Sequence, residues 1–251
     1  MDTLYSDRIL PEGGVRPLST ALKTIAVMEI LAQSPRGMRL QDVANSLGLS
    51  RPTAYQRLLT LTEAGLIEQD EQSRYRLSMH LCRFAAAALE QADLGTRVLP
   101  ILQELVHAVK ETASLAVLDR GLPCIVSRVE SESVLRAEQK IGTTMSLEGS
   151  ASGRILTAFA DDATLRRLKE SGEELASDDI IAAAKNDGYA LSSGYTQAGV
   201  RAIAAPVFDL HGKCAATVSL VMPATRFNLE AFKAPLLRAA EQINKLQQGT
   251  R

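Results

Sequence analysis

The sequence is poor in cysteine and has neither a long apolar segment nor an excess of charge of either sign. Its three cysteines, Cys82, Cys124 and Cys214, are far apart and odd in number. This excludes a disulfide framework and gives no clustered spacing for a zinc site. No apolar run approaches the ~20 residues that span a bilayer, and residues 1–14 lack the apolar core of a signal peptide. We therefore expect a soluble, cytoplasmic protein with free thiols, no metal, no cofactor and no membrane partner.

The charge balance gives little indication of a partner. Lys and Arg number 28 against 29 Asp and Glu, a formal net charge of -1, so no overall cationic field predicts nucleic-acid binding. Residues 16–80 carry eight basic and six acidic side chains, which is weak support for a DNA-reading segment. With 46% hydrophobic and 23% charged residues in 251, the composition is that of a globular protein with one large or two modest domains.

The N-terminal part of the sequence predicts helices and a strand–turn–strand unit after a loose start. Residues 1–15 show no periodicity and contain proline and glycine, which predicts a flexible arm. The elements after this arm are predicted from the spacing of apolar residues, from Ser50 as an N-cap and from Gly65 as a C-cap. The predicted elements are helices from Leu18, over Leu40–Leu47 and over Ser50–Glu63, and strands at Leu66–Ile67 and Tyr75–Leu77.

The segment from Leu40 to Leu61 has the pattern of a helix-turn-helix. Ala44 is a small residue where the two helices meet, and Gly48 permits the tight turn between them. The wedge between the helices is filled by the apolar residues Val43, Leu47, Leu49, Ala54, Leu58 and Leu61. Burying this set directs the other side of the second helix outward.

That outward side carries groups suited to DNA. Arg forks onto guanine and Gln onto adenine in the major groove, while Thr bonds phosphates or base edges. The candidate DNA-binding residues are Arg51, Thr53, Tyr55, Gln56 and Arg57 on the helix and Arg74 and Arg76 on the wing. Two alternatives stay open: the module makes only protein contacts, or Tyr55 packs against the wing. Asp70 and Glu71 at the wing tip must face away from phosphate.

Beyond residue 79 the pattern predicts two helices and then alternating strands and helices. The two helices cover Met79–Ala92 and roughly Val98–Glu111. Predicted strands are Ala113–Leu118, Cys124–Val129, Val134–Gln139, Ile203–Phe208 and Cys214–Val221. Predicted helices are Gly153–Phe159, Ala163–Glu170, Ile180–Asp187 and Leu229–Gln247.

Short motifs in a specific order make the sequence similar to the IclR family of bacterial transcription regulators. They cover nearly the whole chain after the arm. They are Pro17–Leu22, the helix-turn-helix, Gly65-Leu66-Ile67, Tyr75-Arg76-Leu77, Leu115–Asp119, Ser127–Ser131, Ile141-Gly142, Gly153-Arg154, Gly188-Tyr189-Ala190 and Gly199–Leu220. Gly153-Arg154 stands where the family usually has Gly-Lys.

The resemblance implies an α+β fold with an N-terminal winged helix-turn-helix, a linker helix and a C-terminal GAF-like α/β effector-binding domain. We place these at residues 16–78, 79–95 and 96–251. The Ala-rich stretch Leu81–Leu89 suits the linker, although a buried intramolecular helix is an open alternative. The resemblance also implies homodimers, often paired into tetramers, that bind inverted-repeat operator DNA. The predicted mechanism is an effector that changes the arrangement of the linker helices.

The resemblance places the effector between the sheet and the loop Glu148–Gly153. Backbone N–H groups at a helix start attract anions, and small residues allow close approach, so we expect a small organic acid. The candidate effector-binding residues are Gly149, Ser150, Ala151, Ser152, Ala202, Ser219 and Val221. Ala202 and Val221 replace a cysteine and a serine common in the family, which favours a less polar acid, such as an aromatic one. Ordinary capping and core roles are the alternative, and Arg154 either meets the ligand or holds a neighbouring acid.

An enzyme, such as a small hydrolase with an appended winged helix, is the competing hypothesis. His80, His107 and His211 are far apart, and no nucleophile elbow, P-loop or dinucleotide-binding motif occurs. The aspartates lie at the ends of elements, where helix capping explains them. We therefore expect no catalytic residues. A scaffold that binds neither DNA nor ligand is the third hypothesis.

Overall fold

The structure is a computed structural model that describes residues 17–91, 94, 97–134, 140–194 and 199–248. It divides into two compact units, one ending at Ala88 and the next beginning at Leu89. This division falls within the predicted linker helix. The predicted arm, residues 1–15, lies outside the described residues.

The N-terminal unit is a helical core with a small antiparallel sheet. Its elements are α1 (Ser19–Ala32), β1 (Met38–Arg39), α2 (Leu40–Ser46), α3 (Arg51–Glu63), β2 (Ile67–Gln69) and β3 (Arg74–Leu77), followed by α4 (Leu81–Gln91). The strand order is β1-β3-β2. The pattern did not predict β1, because a two-residue strand has no periodicity of its own.

The wedge between α2 and α3 is apolar, as predicted. Val43, Ala54, Leu58 and Leu61 are buried in one cluster, and Leu47 and Leu49 are partly buried against it. Ser50 caps α3 by accepting a hydrogen bond from the Thr53 amide, and Gly48 adopts φ 62° in the turn, which favours glycine. The helix-turn-helix prediction is confirmed.

The C-terminal unit is a five-stranded antiparallel sheet with helices on both faces. Its elements are α5 (Leu99–Val109), β4 (Thr112–Asp119), β5 (Leu122–Val129), α6 (Ala151–Ala158), α7 (Asp162–Glu170), α8 (Asp178–Asp187), β6 (Ala190–Ser193), β7 (Val200–Phe208), β8 (Cys214–Pro223) and α9 (Leu229–Gln248). The strand order is β5-β4-β8-β7-β6. The pattern missed β6. The strand predicted at Val134–Gln139 lies outside the described residues except Val134, which is not in a strand.

The two faces of this sheet are covered by different helices. Leu115, Ile203 and Leu220 pack in the main core with residues of α5 and α9. Ala204 of β7 instead packs with Ala151 and Ile155 of α6. Side chains alternate between the two faces along a strand. Alternate residues of β4, β7 and β8 therefore share the face of Leu115, Ile203 and Leu220, and the residues between them lie on the α6 face. The predicted α+β fold with a C-terminal GAF-like domain is confirmed.

Candidate DNA interface and effector site

The outward face of α3 is exposed to solvent in the described part of the N-terminal unit. Arg51 and Gln56 are exposed and Thr53 is half-buried, while Ala54 and Leu58 on the opposite side are fully buried. The Thr53 hydroxyl lies 2.8 Å from the Ser50 hydroxyl. A polar ridge is therefore free to enter the major groove of a duplex, which is the geometry that the predicted DNA contacts require.

Arg57 lies at the edge of this ridge and is directed toward α1. Its Nη1 donates to the carbonyl oxygen of Thr20 at 2.9 Å and to the hydroxyl of Thr24 at 3.3 Å. Arg57 therefore joins α3 to the first turns of α1, a contact that the helical pattern did not indicate. Its role as a DNA contact stays a prediction.

Tyr55 is a residue of α3 that is close enough to Tyr75 of the wing to affect its pKa. Burial raises the pKa of Tyr75 on β3, and the charge of a nearby Tyr55 phenolate adds to the rise. Tyr55 itself is 49% exposed. The structure therefore places Tyr55 near the wing while leaving part of its ring accessible to DNA.

Acidic side chains of the wing bond to its turn and to one of its arginines. One Asp70 carboxylate oxygen accepts hydrogen bonds from the amides of Gln72 and Arg74, both at 2.9 Å. This carboxylate therefore stabilises the turn. Arg76 is exposed and pairs with Glu68, with Nε 2.7 Å from Oε1, and Arg74 is half-buried.

In the C-terminal unit, the segment before α6 is tightly wound. The Ser150 hydroxyl accepts from the Gly153 amide at 2.9 Å and donates to the Ser146 carbonyl at 2.6 Å. The Ser146 hydroxyl in turn accepts from the Gly149 amide at 2.9 Å. Gly149 and Ser150 are both buried. These bonds give Ser150 the role of an N-cap, and a contact of its hydroxyl with an effector stays a prediction.

The backbone amides of the first two residues of α6 are not bonded in the way that the Gly153 amide is. Ala151 and Ser152 are buried, and we find no acceptor for either N–H group within the described segments. Such groups at a helix start carry partial positive charge and attract anions. A carboxylate bound by these two N–H groups stays a prediction.

The three predicted sheet residues lie together on the face that α6 covers. Ala202 of β7 is opposite Val221 of β8, and Ala204 is opposite Ser219. The Ser219 hydroxyl donates only a long hydrogen bond, 3.5 Å, to the Ser114 carbonyl oxygen. The structure thus brings the helix start and these strand positions to one face of the sheet.

Sequence reasoning missed two polar residues on this face. Ser114 of β4 is paired with Ser219 on one side and with Arg128 of β5 on the other. The Arg128 side chain is 5% exposed, with Nη2 3.6 Å from Glu130 Oε1. The available signal was a serine within the otherwise apolar strand around Leu115.

Arg154 contacts a neighbouring acid, which is one of the two roles predicted for it, and it also bonds to a strand. Its Nε donates to the Glu148 carbonyl at 2.7 Å, and its Nη1 donates to the Leu191 carbonyl at 2.6 Å. Nη2 lies 3.7 Å from Glu148 Oε1. Arg154 therefore fixes the segment before α6 against β6.

We searched the described residues for an activated thiol, a metal-binding cluster and a helix that could cross a membrane. Burial raises the pKa of the Cys214 thiol to about 12, and burial also raises the pKa of Cys124, so neither thiol is activated. No group of three or more potential metal ligands occurs in the part of the chain that is described. None of the described helices is both long and apolar enough to cross a bilayer.

Comparison with known proteins decides the family. The model of the IclR helix-turn-helix domain matches residues 20–71, and that of the IclR C-terminal domain of bacterial transcriptional regulators matches residues 86–245. The chain belongs to the IclR family. It is a DNA-binding transcriptional regulator with a C-terminal effector-binding domain, and the relatives that it matches are regulators rather than enzymes.

The IclR-family assignment is supported over the length of the chain. The HTH-type transcriptional regulator BhcR of Paracoccus denitrificans is 31% identical over 92% of this chain and 87% of its own length. The crystal structure of HmgR of Pseudomonas aeruginosa has a TM-score of 0.77 at 25% identity, covering 92% of this chain and 99% of that one. An IclR homolog of Microbacterium hydrocarbonoxydans, crystallised with 4-hydroxybenzoate, has a TM-score of 0.79 at 21% identity, covering 92% and 100%.

Proposed function

We propose that this regulator binds operator DNA through α3 and the wing, and that a small organic acid bound between α6 and the sheet changes its affinity for that DNA. The observation that supports acid binding is that the amides of Ala151 and Ser152 have no acceptor among the described residues. These amides belong to α6, the helix that covers the face of Ser219. The complex of the Microbacterium homolog with 4-hydroxybenzoate supports a carboxylate as the ligand.

We further propose that the regulator acts in the cytoplasm as a homodimer. Within α4, no side chain is buried in the described chain, and Phe84 is 57% exposed. The small residues Ala85–Ala88 allow another helix to approach closely. An apolar helix left exposed in this way is stabilised by packing against the same helix of a second copy. Two recognition helices then reach half-sites about one helical turn apart or a multiple of it.

Replacing residues of the exposed α3 ridge is expected to weaken operator binding. Arg51→Ala and Gln56→Ala each remove a side chain that reads base edges or phosphate, so each lowers affinity by about 1–3 kcal/mol. Fluorescence anisotropy with DNA from the region upstream of the regulator's own gene, at several salt concentrations, measures this. The control Arg166→Ala removes an exposed arginine of α7 and leaves affinity unchanged. Unchanged affinity in both α3 variants would remove this ridge from the interface.

An acid that binds the C-terminal domain is expected to change operator affinity about 5- to 150-fold, the usual range of coupling between two sites. The measurement titrates a panel of small aliphatic and aromatic acids into the regulator–operator complex. Ser219→Ala raises the acid concentration needed at least several-fold, because one hydrogen-bond donor is lost. Ser193→Ala, an exposed serine of β6, has no effect. The effector proposal is wrong if no acid binds the protein in calorimetry.

A further inference from the structure

The first half of α1 is largely exposed to solvent. Leu18 is 77% exposed and Ile25 is 44% exposed, whereas Val27 and Leu31 in the second half are buried. The N-cap residue Leu18 makes no side-chain capping bond, and the first turn holds no acidic residue that would interact with the helix dipole. Neither apolar packing nor capping therefore fixes the start of this helix.

A set of hydrogen bonds between α1 and α3 supplies this connection. Arg57 Nη1 donates to the carbonyl oxygen of Thr20 at 2.9 Å and to the Thr24 hydroxyl at 3.3 Å. The Thr24 hydroxyl itself donates to the same Thr20 carbonyl oxygen at 2.9 Å. One guanidinium nitrogen thus joins α3 to two successive turns of α1.

The Arg57 guanidinium is directed away from the exposed ridge of α3. The residue is half-buried, and its Nε is buried without a hydrogen-bond partner among the described residues, whereas Arg51 and Gln56 on the ridge are exposed. To reach a phosphate or a base, the guanidinium would have to break both bonds to α1. These bonds stabilise it in place, because a charged donor forms the stronger kind of hydrogen bond.

We propose that Arg57 is a positioning residue of the DNA interface, which holds α3 against the start of α1 and does not contact DNA itself. Rotation of α3 about its axis would move Arg51 and Gln56 away from the base edges, and the bonds from Arg57 oppose this rotation at the edge of the ridge. Recognition contacts need such support, because a displacement of about 1 Å weakens them. This inference rests on the proposed binding of operator DNA through α3, and it gives Arg57 a role other than the DNA contact that the sequence predicts.

The salt dependence of binding separates a positioning residue from a DNA contact. Fluorescence anisotropy of the full chain measures affinity for two duplexes of equal length, one from upstream of the regulator's own gene and one with the same bases in scrambled order. We expect Arg57→Ala to bind the upstream duplex about tenfold more weakly and the scrambled duplex within about twofold of the wild type. Its slope of log affinity against log salt changes by less than about 0.3, because a lost phosphate contact lowers this slope by about 0.9.

Two further variants test whether Arg57 acts through α1. Arg57→Lys keeps a charged donor for the Thr20 carbonyl oxygen, so it recovers most of the loss and binds the upstream duplex within about threefold of the wild type. Thr24→Val removes the hydroxyl that meets Arg57 and weakens binding about two- to threefold. The double variant Thr24→Val/Arg57→Ala binds little more weakly than Arg57→Ala alone, because both changes remove the same interaction.

Thr62→Val is the matched control on α3. The Thr62 hydroxyl donates to the Leu58 carbonyl oxygen four residues earlier at 2.9 Å, as the Thr24 hydroxyl does to that of Thr20, and we expect its loss to leave both affinities unchanged. The role of Arg57 is overturned if Arg57→Ala lowers the slope by about 0.9, leaves affinity unchanged or weakens both duplexes equally, or if the losses multiply in the double variant. Wild-type protein that does not prefer the upstream duplex overturns the proposed operator binding instead.

Discussion

Replacing Arg226 with alanine is expected to destabilise the C-terminal unit by about 3 kcal/mol, a fall of roughly 6–12 °C in its unfolding temperature. Arg226 forms a two-pronged pair with Glu111, with Nε 2.5 Å from Oε1 and Nη2 2.8 Å from Oε2. These bonds raise the pKa of the Arg226 guanidinium further above its usual range, so Arg226 stays charged at every pH relevant to the fold.

The size of this effect follows from the burial of the carboxylate. The Glu111 side chain is only 4% exposed, against 35% for Arg226, so removing the arginine leaves a buried charge without that partner. Because the arginine is partly hydrated, we expect the lower end of the range for buried pairs. The pair also joins the turn after β8 to the start of β4, which are far apart along the chain.

Thermal unfolding with hydrogen exchange of the β4 and β8 amides measures the loss. Arg238→Ala, an exposed arginine of α9, is the control and changes stability by no more than about 0.5 kcal/mol. The double variant Glu111→Gln/Arg226→Ala recovers part of the loss, because a neutral amide costs less to bury than a charge. If Arg226→Ala unfolds at the wild-type temperature, the pair contributes nothing to the fold.

Replacing Gly153 with alanine is expected to destabilise the C-terminal unit by about 2 kcal/mol, roughly 4–8 °C, and to weaken acid binding at least tenfold. A Cβ at this position would lie 2.5 Å from the Leu147 Cα and 2.6 Å from the Leu147 carbonyl oxygen, and it would meet the Ser146 carbonyl still more closely. These are backbone atoms, so α6 and the loop before it must move apart. That movement displaces the amides of Ala151 and Ser152.

This prediction has the opposite sign to the one that helix propensity gives. Within an unobstructed helix, glycine to alanine stabilises by roughly 0.5–1 kcal/mol. Gly172→Ala is a useful control: it has no atom within 4 Å of the added Cβ but adopts φ 78°, so it reports backbone strain alone and leaves acid binding intact. A rise in the unfolding temperature of Gly153→Ala would show that the close approach of Ser146 and Leu147 is not maintained.

The helix-turn-helix could be predicted in detail because its signals are local. These signals all lie within about twenty residues of chain: the N-cap Ser50, the glycine at position 48, and the apolar wedge at Val43 and Leu58. The position of Arg57 was harder to predict, because helical periodicity placed it on the outward face. Its bonds to Thr20 and Thr24 depend on how α1 packs across α3, which periodicity does not specify.

The effector site was partly predictable for the same reason. The capping sequence around Ser150 marks a helix start, and the family resemblance directed attention to Ala202, Ser219 and Val221. Ser114 and Arg128 were missed, because a serine within the apolar strand around Leu115 does not indicate which residues lie beside it in the sheet. The short strand β6 was missed because Ala190–Ser193 lacks a run of branched or aromatic residues.

By itself, the sequence determined most of the elements other than β1 and β6, the caps, the polar ridge of α3 and the resemblance to the family. Each of these depends on residues that are close along the chain or on short motifs in order. Only the tertiary structure decided which strands are neighbours. Ser114 and Ser219 are 105 positions apart, and alternation along a strand assigns each residue to one of two faces without naming its partner across the sheet. That pairing, together with the packing of α6, brings Ala202, Ser219 and Val221 to the face where we propose that the effector binds.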